Sequence, residues 1–130
     1  MTGATHAGIG AALGGLIRDR KLAFIAGILS HIAADAIPHK DLSPKAEILL
    51  LSGTMTLIAT RYGVDSPQFW GAAGAILPDL EHVLLLTGII DDKDEIFPTH
   101  FDSGRWHGRE TTERISQVVT FLACMLVAGK

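Results

Sequence analysis

A single cysteine, Cys124, leaves this chain without an internal disulfide and without a cysteine-rich zinc site. Charge is scarce as well. Fourteen acidic residues against eleven basic ones give a net charge of -3 and a pI near 6.0, so the electrostatic footprint of a nucleic-acid binder is missing. Long apolar runs are also absent. The uncharged stretches 1–17, 22–34, 48–60, 66–78 and 115–129 each fall short of the ~20 apolar residues that span a bilayer as a helix. No basic region follows Met1, as it would in a secretory signal. Period-two alternation and hairpin dipeptides are lacking, which argues against strands. There is no P-loop and no nucleophile elbow.

What the chain does have is apolar mass, at 48% hydrophobic residues and a mean hydropathy of +0.32. Its 130 residues suit one domain, residues 1–130. Several apolar stretches carry Gly, Ser or Thr, including the Gly10-xxx-Gly14 spacing that suits close helix packing. Two architectures fit: a compact bundle with a very apolar core, or a bundle seated in or on a bilayer.

Helix signals divide the chain. "THAGIGAALGGLI" reads as a first helix that ends at the charged "RDRK". "LAFIAGILSHIAADAI" is a second, stopped by Pro38, because the residue before proline is pushed out of the helical region. Ser43-Pro44 and Ser66-Pro67 each place a capping serine before a proline at the first helical position. Pro78 then kinks the fourth helix or begins another, "PDLEHVLLLTG", which Gly88 ends. A polar stretch runs from Asp91 to about Gly108, and a last helix covers roughly Arg109 to Ala128. The expected fold is all-α, a single compact bundle of five or six helices with an interior His/Asp cluster.

The histidines carry the chemistry. His31 and Asp35 lie four apart on one helix face, inside one of the most apolar parts of the chain. Burying such groups costs several kcal/mol unless they are paired, hydrogen-bonded or bound to a cation. His39 follows just beyond Pro38, and Asp79 and His82 share a face three residues apart, with Asp79 expected at a helix start where the dipole favours a carboxylate. His6 opens the first helix, and His100 and His107 flank "FDSGRW". Imidazole nitrogen with carboxylate oxygen is the ligand set of zinc, manganese or non-haem iron. The plain alternatives are a buried His31–Asp35 ion pair, Asp79 as a helix cap, His6 at a frayed terminus, and His100 and His107 in a solvated loop. Phe69, Trp70, Phe97 and Trp106 read as core packing more readily than as an acyl cleft. "DDKDE" reads as a solvated loop. Arg105 and Arg109, bracketing His107, suit a phosphate clamp or an ordinary surface role.

At "THAGIG", "SHIAADAIPH", "PDLEH" and "WHGR" the chain resembles the membrane-bound metal-dependent hydrolases, also called the LexA-binding, inner-membrane-associated hydrolase family. That family is distantly related to zinc-dependent phospholipase C. The resemblance implies an all-α fold, an interior metal cluster and phosphoester hydrolysis. It matches His6 to a Thr-His motif, and His31 and Asp35 to a His-x-x-x-Asp pair whose aspartate bridges metals. It also matches Asp79 and His82 to Pro-Asp-x-Asp-His, and His107 and Arg109 to His-Arg-Gly-x-Thr-His. The chain departs from the pattern at Glu81, where the family has a second aspartate, and at Thr111 or Thr112, where it has a second histidine. The His-x-x-x-Asp element also precedes "PDLEH" instead of following it.

The leading expectation is therefore a hydrolase of phosphoesters, lipid-derived ones included, dependent on a divalent cation (zinc, with manganese or iron as alternatives). It would work at a membrane surface on the cytoplasmic side, or else in the cytoplasm. His6, His31, Asp35, Asp79 and His82 are the expected inner ligands, with His39, His100 and His107 completing the shell. Asp35 and Asp79 are also the expected catalytic carboxylates, and Arg105 and Arg109 the substrate-binding cations. The rival expectations are a non-catalytic, membrane-associated helical protein and a metal-binding protein without turnover.

Overall fold

The computed structural model describes residues 1–40, 42–94, 96–97 and 115–130, without the side chains of His82, Leu86 and Asp92. Asp41, Glu95 and residues 98–114 lie outside the described residues. Five helices are packed together: α1 (Gly3–Ile17), α2 (Arg20–Asp35), α3 (Pro44–Tyr62), α4 (Pro67–Leu86) and α5 (Ile115–Ala128). A short 3-10 turn, Asp92–Asp94, follows α4. No strand occurs among the described residues, as the sequence leads one to expect.

Local chemistry sets the helix ends. The Thr2 hydroxyl accepts the Thr5 N–H and caps α1, and Arg18 closes that helix in the left-handed region at φ 60°. The Asp19 carboxylate accepts the Leu22 N–H at 2.9 Å, so α2 starts two residues before the apolar pattern does. Ser66 caps α4 through the Phe69 N–H at 3.1 Å. Ser43 makes no such bond, and Pro44 with its preset φ starts α3.

Pro78 does not divide α4. The helix continues through it to Leu86, so there are five helices in the described residues and Asp79 sits mid-helix. The expected dipole stabilisation of Asp79 at a helix start is thereby corrected, since that effect fades beyond the first turn.

Helix α1 is the middle of the bundle and touches each of the other four. Its buried residues are almost all Gly and Ala, poor in side-chain volume but able to bring backbones together. A Cβ added at Gly10 would overlap the Gly71 carbonyl of α4, and one at Gly71 would overlap the Gly10 carbonyl. On the other side of α4, a Cβ at Gly74 would overlap the Phe24 carbonyl of α2. The fully buried cluster is accordingly made of small side chains around Ile58 and Met125: Ala7, Ala11, Ala72 and Ala128.

Bulk apolar side chains end up outside. On α5, Ile115, Val118, Val119, Leu122 and Leu126 form an exposed stripe at helical spacing, and Leu49 of α3 is 77% exposed. Trp70, expected in the core, is 40% exposed. No helix among the described residues is long and apolar enough to cross a membrane.

Candidate metal centre

Three helices aim their chemistry at one interior point. The first turns of α1 bring in His6, the last turn of α2 brings His31 and Asp35, and α4 brings Asp79 directly after Pro78. His6, His31 and Asp35 are each no more than 1% exposed. The two imidazoles stack, with ring centroids 3.9 Å apart and planes 20° from parallel.

The hydrogen-bond partners assign the protons. A carbonyl can only accept, so His31 donates its Nδ1–H to the Ala75 oxygen at 2.7 Å. Pro78 helps here by removing the N–H that would bind the Gly74 carbonyl, which loosens the α4 ladder beside Ala75. The other nitrogen of His31, Nε2, lies 3.2 Å from Asp35 Oδ2 and 3.7 Å from Asp79 Oδ1. An ionised carboxylate also only accepts, so His6 donates Nε2–H to Asp35 Oδ1 at 2.9 Å. That tautomer leaves the lone pair on His6 Nδ1, which is buried and has no hydrogen-bond partner among the described residues. Each ring thus has one nitrogen tied to an acceptor, the arrangement by which second-sphere oxygens orient metal-ligating histidines.

Burial and the neighbouring carboxylates set the charge states of the cluster. Burial pushes the His6 pKa down to about 4, with the Asp35 hydrogen bond opposing only part of that, so His6 is neutral and able to ligate. Burial also works against a charge on His31. There, however, the Asp35 hydrogen bond and the charges of Asp79 and Asp35 win, and the pKa is raised. Burial would raise Asp35, but the hydrogen bonds from His31 and His6 hold its carboxyl well below the usual range. For Asp79 burial dominates and lifts the pKa to about 6. His31 Nε2 thus lies between two carboxylates that favour its charged form.

The donor set fits one ion. His6, His31 and Asp79 each offer a ligand atom, and these atoms lie within 4.8 Å of one another. Two imidazoles and one carboxylate with a further position left open is a set used by catalytic zinc, and it is also the set of non-haem iron oxygenases. Of these three residues Asp79 reaches solvent, with its side chain 28% exposed while the two histidine side chains are at 0%.

Among the expected ligands, His6, His31, Asp35 and Asp79 are brought together. Asp35, expected to bridge metals, holds His6 and the Met1 amino group at 2.8 Å through Oδ1, and its Oδ2 lies 3.2 Å from His31 Nε2. His39 is buried and donates Nδ1–H to the Ile37 carbonyl at 2.7 Å, and it is not part of the group. The His82 side chain, His100, His107, Arg105 and Arg109 lie outside the described residues, as do Trp106 and the Thr111/Thr112 departure.

Three residues not singled out in the sequence as site residues act on this region. Glu81 accepts the backbone N–H groups of Ile96 at 2.7 Å and Phe97 at 2.9 Å, which ties the chain after the 3-10 turn back to α4. Glu47 and Gln117 hold the start of α1. A signal for both exists in retrospect: Glu47 is the sole acid of α3, and Gln117 the sole amide of α5.

No protein-family model, no curated protein and no solved structure matches the chain.

Proposed function

We propose that this chain is a metal-dependent hydrolase of phosphoesters whose cation is held by His6, His31 and Asp79. The observation that carries the reading is the pair of stacked, buried imidazoles, each with one nitrogen committed to an oxygen acceptor, grouped with a partly open carboxylate. Zinc is the ion we favour, with manganese or iron as alternatives, since the set is of intermediate softness. When bound, such an ion supplies Lewis acidity toward a phosphoryl oxygen and lowers the pKa of water.

The protein's own groups do the rest. Asp35 holds the proton on His6 Nε2 and so keeps the Nδ1 lone pair available. The Ala75 carbonyl does the same for His31 from the opposite ring nitrogen. Asp79 closes the ligand set at the solvent side, and burial of the two rings keeps competing water from their nitrogens. Arg105 and Arg109 are the proposed holders of the phosphoryl group, because they bracket His107 in the sequence. The exposed apolar stripe of α5 supports a membrane surface as the place of action and a lipid-derived substrate.

The test is metal content and hydrolysis of bis(p-nitrophenyl) phosphate by protein purified without a histidine tag. About one equivalent of metal and metal-dependent turnover are expected, and His31→Asn should lose both. A protein that carries no metal and whose melting temperature ignores chelators would sink this reading. A second reading is then favoured by the closure of the Asp35 bonds around His6, His31 and Met1: a non-catalytic helical protein in which these contacts set helix register. Metal binding without turnover would identify a carrier or sensor instead.

A further inference from the structure

The first turn of α1 carries His6, and its backbone is held from two sides by side chains of other helices. Gln117 of α5 accepts the Thr2 N–H at 2.8 Å through Oε1 and donates through Nε2 to the Lys40 carbonyl at 2.8 Å. Glu47 of α3 accepts the Gly3 N–H at 3.1 Å through Oε2 and the Leu42 N–H at 3.2 Å through Oε1. Each side chain therefore bridges the same two segments, the start of α1 and the 40–42 connection between α2 and α3. Thr2 in turn accepts the His6 N–H through its own carbonyl at 3.1 Å.

These bonds are not incidental. The first N–H groups of a helix have no partner within it and must be satisfied from outside. Here the Thr2 hydroxyl and carbonyl serve Thr5, while Thr2 and Gly3 themselves depend on Gln117 and Glu47. Gln117 is 4% exposed, so its amide is held in a dry setting where a lost hydrogen bond is not replaced by water.

We infer that Gln117, assisted by Glu47, is a positioning residue for the metal centre: by fixing the first turn of α1 against the segment that leads from α2 to α3, it sets His6 relative to His31 and Asp79. This rests on the ligand group proposed above. Gln117 does not touch that group. It acts through Thr2 and the helical backbone, and the tolerance of ligand geometry makes small shifts costly.

Cobalt(II) loading of the full chain tests it, read by visible absorption and by competition with a chelator for affinity. Far-UV circular dichroism and urea unfolding of the metal-free protein run alongside. Gln117→Leu removes both bonds, and Gln117→Glu keeps the acceptor for Thr2 but sets a carboxylate against the Lys40 carbonyl. Both variants should keep the helical spectrum, change the cobalt absorption, and lose affinity by about tenfold to a hundredfold, the range for outer-shell partners. If Gln117→Leu does not fold, Gln117→Glu decides alone. A variant that unfolds at lower urea yet binds cobalt with wild-type affinity and spectrum overturns the inference and leaves the metal centre standing. Wild-type protein that takes up no cobalt overturns the metal centre itself, and this inference with it.

Discussion

His6 Nε2 lies 2.9 Å from Asp35 Oδ1, with the two side chains 0% and 2% exposed. The contact joins the beginning of α1 to the end of α2, and the same oxygen accepts the Met1 amino group. A carboxylate so placed has exchanged water for hydrogen bonds from protein donors, and its removal leaves those donors stranded.

Asp35→Ala should therefore cost about 3–5 kcal/mol of stability, as expected when one partner of a buried charged pair is removed. Asp35→Asn, which retains an acceptor oxygen, should cost less. Urea unfolding of the chelated proteins measures both. A loss for Asp35→Ala no greater than about 0.5 kcal/mol, the scale of an ordinary surface change, would contradict the hydrogen-bonded cluster.

The chelated protein should also show opposing proton linkages between pH 6 and pH 4. His6 titrates at about 4 in the fold against 6.5 unfolded, so on acidification the unfolded chain takes up a proton that the fold refuses, and stability falls. Asp79 titrates at about 6 in the fold against 3.8 unfolded, so over nearly the same window the fold takes up the extra proton, and stability rises. Wild type should be nearly flat across that window. Asp79→Asn removes the second contribution and should grow less stable as pH drops from 6 to 4. Urea midpoints at successive pH values decide it, and a flat profile for Asp79→Asn would be the contrary result.

Glycine substitutions separate close helix contact from helix propensity. Gly71→Ala places a Cβ onto the Gly10 carbonyl, backbone against backbone, and should destabilise by at least the 1–3 kcal/mol typical of overpacking. Gly53→Ala lies on α3 with no atom within 4 Å of the new Cβ and should stabilise by about 0.5–1 kcal/mol. Thermal melts of both variants test the pair, and equal effects would mean that α1 and α4 do not approach as described.

Helix identity was legible because its causes are local. Ser-Pro starts, Pro38 and the glycines act within a few residues, so the elements and the all-α class follow from the chain itself. Asp19 as a cap was the local signal overlooked, and it moved the start of α2. Pro78 was ambiguous for a physical reason. Its ring costs one helical bond, and whether the helix survives that loss depends on what packs around it, which here is α1 and α2.

The candidate site was partly legible. The i, i+4 spacing of His31 and Asp35 puts them on one face in any helix, and no tertiary knowledge is needed for that. That His6 joins them is a matter of how α1 crosses α2, and the sequence carries no sign of that crossing beyond a run of small residues. The difference between the aspartates was invisible for the same reason. Asp35 and Asp79 are the same residue type in similar apolar surroundings, and only the neighbours brought by folding bind one to His6 and leave the other partly exposed.

What the sequence determined alone is where helices begin and end and which donors share a helix face, because those depend on covalent neighbours and helical period. Tertiary structure decided which helices meet, which nitrogen of each histidine faces an oxygen acceptor, and which carboxylate stays partly exposed. Those are properties of contacts between segments far apart in the chain, set where Gly and Ala let backbones touch and where Gln117 and Glu47 fasten the end of α1.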